Sequence, residues 1–290
     1  MTNILLNGIA TLDIINQLDH YPEEDSEVRA LTQTLRIGGN AANSSIVLQQ
    51  LGVNAHLIAS RADDSNAKQV FSQLNERKIN TDLCPVHNNS STPTSYITLN
   101  SHNGSRSIIH YRDLTELQAS YYIKLNLSQY NWLHFESRDC KQQLKMLQYA
   151  QTFKLPISIE LEKNRKAIET IIPFADLLLI SKPFAESQGF DNAYDCIKHY
   201  SQRYSDKTIT CTWGKQGAWA YANSSIIHQD AFPLDKTIET LGAGDTFNAG
   251  IIYSLIKQKS LSQTLKFACR LAANKCMQSG FDHLIIPADH

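Results

Sequence analysis

The segment of this chain most suited to chemistry is Thr240-Leu241-Gly242-Ala243-Gly244-Asp245-Thr246-Phe247-Asn248-Ala249-Gly250. Glycines just before a helix let backbone approach a ligand where side chains would block it. The unpaired amides of a first helical turn, with the positive end of the helix dipole, make an anion site. Asp245 beside such a site adds a like charge. That placement makes sense if the carboxylate takes a proton from a hydroxyl attacking a phosphoryl group. The plainer alternative is an acidic residue that favours a helix start. No G-x-x-x-x-G-K-[ST] occurs, so this is not a Walker loop.

A second segment, Gly38-Gly39-Asn40-Ala41-Ala42-Asn43, leads into Ser44 to Leu51 and then Gly52. Asn40 and Asn43 place carboxamides one helical turn apart, able to donate to and accept from several hydroxyls. An Asn cap with a polar first turn is the competing reading. Asp13 follows the first strand, and in open α/β sheets ligands gather at the carboxyl ends of strands. It is suited to accept hydroxyl hydrogen bonds, or is a turn residue.

The elements that must hold these residues show in the hydrophobic pattern. Ile4 to Leu6, Leu57 to Ala59, Trp132 to Phe135, Ile157 to Leu161, Leu177 to Ile180 and Thr208 to Thr212 read as buried strands. Ala67, Val70, Phe71 and Leu74 share one helical face; Leu144, Leu147 and Tyr149 to Ala150 suggest another helix. Strand and helix in alternation imply a parallel sheet covered on both faces. Val28 to Leu35, Thr94 to Asn100 and Arg106 to Tyr111 alternate instead, the last two around Asn103-Gly104, a hairpin signal. They predict a small antiparallel sheet projecting from the main body, a lid formed by roughly 12–36 and 92–113, rather than a separate domain. Residues 1–290 then form a single domain. Ala243 to Ile256 and Ser262 to Ser279 read as helices.

Composition narrows the function classes. Lys and Arg number 27 against 28 Asp and Glu, a net charge of -1, which argues against a nucleic-acid groove. No run of 18 apolar residues exists to span a membrane. The six cysteines have no C-x-x-C spacing and read as reduced thiols of a cytoplasmic protein. The ten histidines show no metal spacing.

G-G-N-A-A-N near residue 40 with G-A-G-D near residue 245 resembles the paired signatures of the ribokinase-like (PfkB) carbohydrate kinases. Tyr21 to Arg29, Asn103 to Arg106, Asp230 to Pro233 and Gly280 to Asp282 are similar to the ketohexokinase branch of that family. The resemblance implies a three-layer α/β/α fold and an ATP-dependent kinase converting fructose to fructose 1-phosphate. It implies Asp245 as base, with the amides of Gly242, Ala243 and Gly244 as anion hole and Arg106 reaching phosphate or sugar. Asp13, Gly39, Asn40 and Asn43 would hold the sugar. Gly217, Phe232, Pro233, Phe247, Ala273 and Cys276 would surround the nucleotide. Mg²⁺ would arrive with ATP, its protein ligands not identifiable, and K⁺ is a further expected ion. A homodimer clasped through the lids would bring Asp25 into the partner's site.

The chain departs from the family's pattern in three places. Glu239 stands where Asp is common, near the expected K⁺. Lys182-Pro183-Phe184-Ala185 replaces an N-x-x-E element, and the Trp213 to Gly217 turn differs in charge from expectation. The rival readings are a related kinase for another sugar, a nucleoside or a keto-deoxy sugar acid, and a catalytically silent sugar binder on the same fold. An acid substrate would call for an extra cation in the sugar pocket, and the sequence identifies none.

Overall fold

The computed structural model describes residues 2–287. The strands in chain order are β1 (Asn3–Asn7), β2 (Thr11–Leu18), β3 (Thr32–Gly38), β4 (Asn54–Ile58), β5 (Arg61–Ala62), β6 (Val86–His87) and β7 (Thr94–Asn100). They continue with β8 (Arg106–Tyr111), β9 (Trp132–Glu136), β10 (Ile157–Leu161), β11 (Leu177–Ile180), β12 (Thr208–Thr212), β13 (Ala218–Ala222) and β14 (Ser225–Gln229). The helices are α1 (Asn40–Gln50), α2 (Ser65–Glu76), α3 (Ala119–Tyr122), α4 (Cys140–Gln151), α5 (Lys182–Ser187), α6 (Ala193–Arg203), α7 (Ala243–Ile256) and α8 (Leu261–Cys276).

The main sheet is eight-stranded, in the order β14-β13-β12-β11-β10-β9-β1-β4. From β12 to β4 every pairing is parallel, as in Leu5↔Leu133 and Ile159↔Phe135. Such strands are buried on both faces, which is why they read as continuous apolar runs. Successive side chains point to opposite faces. Ile4 and Leu6 join a core with α1, α2, α7 and α8, while Leu5 joins a second core with α3, α4, α5 and α6. The result is three layers, helices on either side of one sheet.

The antiparallel edge formed by β13 and β14 is an addition that strand–helix alternation did not predict. The small sheet has the order β3-β2-β7-β8. It is mixed rather than antiparallel: β2 pairs parallel with β7, from Leu12↔Thr94 to Leu18↔Asn100. Residues far apart in sequence meet there with no hairpin to force opposite directions. β3 starts at Thr32, not Val28, and ends at Gly38, feeding directly into α1. α8 starts at Leu261 under a Ser260–Gln263 capping box and stops at Cys276 rather than Ser279, because the chain turns there to reach Gly280 in the left-handed region.

Phe135, on central strand β9, is fully buried and tilts against the Tyr122 ring at 5.8 Å. Phe135→Ala is expected to destabilise the protein by about 3–5 kcal/mol, read as a lower urea midpoint at unchanged slope.

Candidate active site

The helix starts sort themselves by use. α2, α4, α5, α6 and α8 begin on Asp64, Asp139, Ser181, Asn192 and Ser260, each accepting a bond from an amide of its own first turn. α1 and α7 begin on Gly39 and Gly242 with no side-chain cap. Gly39 has φ 97°, and a Cβ there would strike the Ile9 carbonyl; Gly242 has φ 77°, and a Cβ there would strike the Phe281 ring. Both starts line one cavity of about 480 Å³ at the carboxyl ends of the main strands, under the small sheet. One amide of the anion loop is engaged, Ala243 N–H donating to Thr240 O at 3.3 Å.

The two helices are joined at the cavity by their polar residues. Asn43 Nδ2 donates to Asp245 Oδ2 at 2.7 Å, and Ser44 Oγ to the Asp245 carbonyl at 3.2 Å. Asn43 Oδ1 has no partner, an acceptor left at the cavity wall. Burial pushes the Asp245 carboxyl up to about 7, opposed by the Asn43 bond and reinforced by Glu162, Glu136 and Asp13. A carboxylate near neutrality is matched to taking a proton from a hydroxyl. Asp13 accepts from Thr11 Oγ1 at 2.9 Å; burial raises its pKa, while the Thr11 and Ser95 bonds oppose that rise.

Three further carboxylates of the cavity escaped the sequence reading, Glu136, Glu160 and Glu162. Glu136 ends β9 and accepts from the amides of Ile9 and Ala41 at 3.1 and 3.2 Å, fixing the exits of β1 and the start of α1. Glu160 on β10 accepts from Asn40 and Asn248 at 3.1 and 3.0 Å, its other oxygen unbonded. Burial raises both pKa values, and Asp245 adds to the rise at Glu160. For Glu136 and Glu160, an acidic residue within a buried apolar strand was the available signal. The cavity also carries cations that spacing alone did not show: Arg138, Lys163, Arg165 and Lys182. Arg138 bridges Glu116 and Glu136 at 3.0 and 3.4 Å. Lys163 pairs with Glu162 and Lys182 with Glu186, each at 3.4 Å.

Of the expected residues, Asp13, Gly39, Asn40, Asn43, Arg106, Gly242, Gly244 and Asp245 line the cavity together. Arg106 Nη1 donates to Thr240 Oγ1 at 2.8 Å, joining β8 to the loop. Ala243 stands in the same glycine-capped turn. Asp25 lies elsewhere, exposed, at φ 59°. Phe247, expected at the nucleotide, is buried in the core that α7 shares with α1 and α8. Phe232 packs on that core with Arg270 4.2 Å above its ring, Pro233 is exposed, and Ala273 and Cys276 are half-buried on α8. Gly217 closes the turn before β13. None of these lines the cavity. Among the described residues no group of His, Cys, Asp and Glu is arranged to hold a metal ion. No helix there is long and apolar enough to cross a membrane.

The sequence matches the pfkB family of carbohydrate kinases over residues 1–288. It is 36% identical to ketohexokinase of Mus musculus, covering 97% of this chain and 98% of that one. It is 24% identical to ribokinase of Bacillus subtilis, covering 94% and 92%. Solved structures of ribokinase from Giardia lamblia and nucleoside kinase from Methanocaldococcus jannaschii share the fold, with TM-scores of 0.84 and 0.80 at 14% and 20% identity. Those likenesses cover 97% and 99% of this chain and 96% and 95% of theirs. With motif, fold and sequence in agreement from end to end, the chain belongs to the pfkB family of carbohydrate kinases, phosphotransferases acting on a sugar hydroxyl.

Proposed function

We propose that this kinase transfers the γ-phosphoryl group of ATP to a ketohexose, forming fructose 1-phosphate from fructose. The observation that carries the transfer is Asp245, buried at a glycine-capped helix start and held by Asn43. The ketohexose is supported by the 36% identity to a ketohexokinase over nearly the whole chain.

Asp13, Asn40 and Asn43 would bind the sugar hydroxyls, with the Gly39 amide close by. Asp245 takes the proton of the attacking hydroxyl. That oxygen bonds to the γ-phosphorus as the bond to the β–γ bridging oxygen breaks, and ADP leaves. Amides of Gly242, Ala243 and Gly244, with Arg106, would meet the charge on the moving group, since phosphoryl transfer asks mainly for alignment and charge stabilisation. Arg165 and Lys182 would face the triphosphate from the opposite wall. Mg²⁺ arriving with the nucleotide would neutralise phosphate charge, and an ion that keeps several waters would need few protein ligands. Gly217, Phe232, Pro233, Ala273 and Cys276 would border the adenine and ribose from outside the cavity, while Phe247 would support them from the core. K⁺ would lie near the start of the anion loop, with ligands other than Glu239, whose carboxylate is already held by Arg36 and the Gly280 amide.

One observation favours a second substrate class. The cations Arg138, Lys163, Arg165 and Lys182 give a keto-deoxy sugar acid a partner for its carboxylate. ATP turnover across fructose, tagatose, ribose, glucose, adenosine and a keto-deoxy acid decides between them, with phosphate position read by NMR. Selective fructose turnover to the 1-phosphate is expected; preference for the acid overturns the ketohexose.

We further propose a homodimer through the small sheet, whose outer face exposes Leu31, Leu35, Tyr96, Ile109 and Tyr111. A long exposed apolar strand face is a liability unless covered. Asp25, exposed and away from its own cavity, would then enter the partner's. Wild type is expected to sediment as a dimer and Ile109→Lys, at a site 73% exposed, as a monomer.

Asp245→Asn is expected to lower kcat by ~10²–10⁴ with sugar binding retained. Because the base works ionised and its pKa lies near 7, kcat/KM should climb about tenfold per pH unit below that value and level off above it. Near-normal turnover of the variant, or a flat wild-type profile through neutrality, would remove Asp245 from this role.

A further inference from the structure

Glu239, buried immediately before the anion loop, has no part in the transfer just described. Its Oε2 nonetheless gathers three segments of chain. Arg36 Nη1 on β3 donates to it at 2.7 Å, the Gly280 amide at 3.0 Å, and Lys275 Nζ on α8 stands 3.9 Å away. Lys275 is wholly buried, its ammonium without a hydrogen-bond partner and 5.1 Å from the centre of the Phe281 ring. That ring is the one a Cβ on Gly242 would strike. A cation, an aromatic ring and the glycine cap are therefore stacked beneath the loop. The amides of Ile238 and Glu239 both donate to Cys276 O, at 2.8 and 3.2 Å, tying the approach to the loop onto the end of α8.

The other side of this cluster is the sheet that carries Asp13. Arg36 lies directly opposite Asp13 in the β2–β3 register. Arg36 Nη2 also donates to Ser279 Oγ. The same sheet touches the loop a second time, where Arg106 of β8 donates to Thr240, the residue after Glu239. A buried charge is costly once its partner is removed. The Arg36 guanidinium, the Glu239 carboxylate and the Lys275 ammonium are thus held in one arrangement, with the sugar-facing sheet on one side and the phosphate-facing loop on the other.

We propose that Glu239, Arg36 and Lys275 are positioning residues that couple the two substrate sites, so that sugar and nucleotide each strengthen the other's binding. The proposal rests on the kinase reading above for its ligands. Such coupling is reciprocal and is set by the difference in contacts between loop placements. None of the three need touch a substrate: Glu239 holds the loop, Arg36 reports the position of the sheet, and Lys275 backs the Glu239 carboxylate from α8.

The test is calorimetric binding of the non-hydrolysable analogue AMP-PNP with Mg²⁺ to the full chain, with and without saturating fructose. Wild type is expected to bind the analogue at least ~5-fold more tightly when the sugar is present. Glu239→Gln should erase that enhancement while leaving the affinity for each ligand alone within about 2–3-fold, a pattern that general loss of structure does not give. Should Glu239→Gln fail to fold because Lys275 is left unpaired, Arg36→Met serves instead. It removes the bonds of Arg36 to Glu239 and Ser279 but leaves Glu239 its Gly280 amide and Lys275, and Arg36 is 25% exposed. Equal enhancement in variant and wild type, or none in wild type, overturns the proposal. Turnover across the sugar panel, run on the same wild-type sample, separates this failure from a wrong sugar; the titration then uses the sugar that is turned over.

Discussion

The bond between Asn43 and Asp245 is the constraint around which the rest of the molecule is arranged. A base for an unactivated hydroxyl must sit out of bulk water, yet a carboxylate taken out of water resists ionisation. A base of the kind proposed for Asp245 would have to meet both demands, and the fold brings two helix starts together with each capped by glycine. At these starts the Ala41 amide is met by Glu136 and the Ala243 amide by the Thr240 carbonyl, and the Asp245 carboxylate gains one strong donor from the neighbouring helix. Everything that fixes α1 against α7, including the bonds of Glu136 to Ile9 and Ala41, serves this meeting.

The concentration of acid at the cavity has a cost in stability. Asp13, Glu136, Glu160 and Asp245 are all buried, and burial opposes ionisation at each. Like charges so close cannot all be ionised cheaply. The cations along the same wall, with Arg138 bridging Glu116 and Glu136, offset part of that repulsion. Function is thus bought with local strain of an electrostatic kind, confined to the mouth of a sheet whose two apolar cores supply the stability.

Much of this was legible in the sequence where local pattern and tertiary environment agree. β10, β11 and β12 fall on the expected residues because parallel strands buried on both faces read as unbroken apolar runs. β7, β8 and α7 do so through alternation, a hairpin turn and glycine spacing. The parallel pairing of β2 with β7 was not legible, since pairing direction between distant segments leaves no local trace. Nor were the partners of Asn40 and Asn43: their residue types were suggestive, but Glu160 and Asp245 come from far along the chain. Glu136 and Glu160 did leave a sign, an acid inside an otherwise apolar strand. Phe247 falls on the expected helix, but the motif fixes only the backbone path and did not show that its side chain lies in the core.

The Asn43–Asp245 bond spans 202 residues of sequence. Its two halves therefore leave the ribosome far apart in time. The small sheet and α1 come from the first part of the chain, the glycine loop and α7 from nearly the last. β1 also sits between β4 and β9, so its own strand neighbours arrive only as synthesis proceeds. Contacts of such long separation slow folding. The buried pairing of Asn43 with Asp245 thus cannot form until almost the whole protein has emerged.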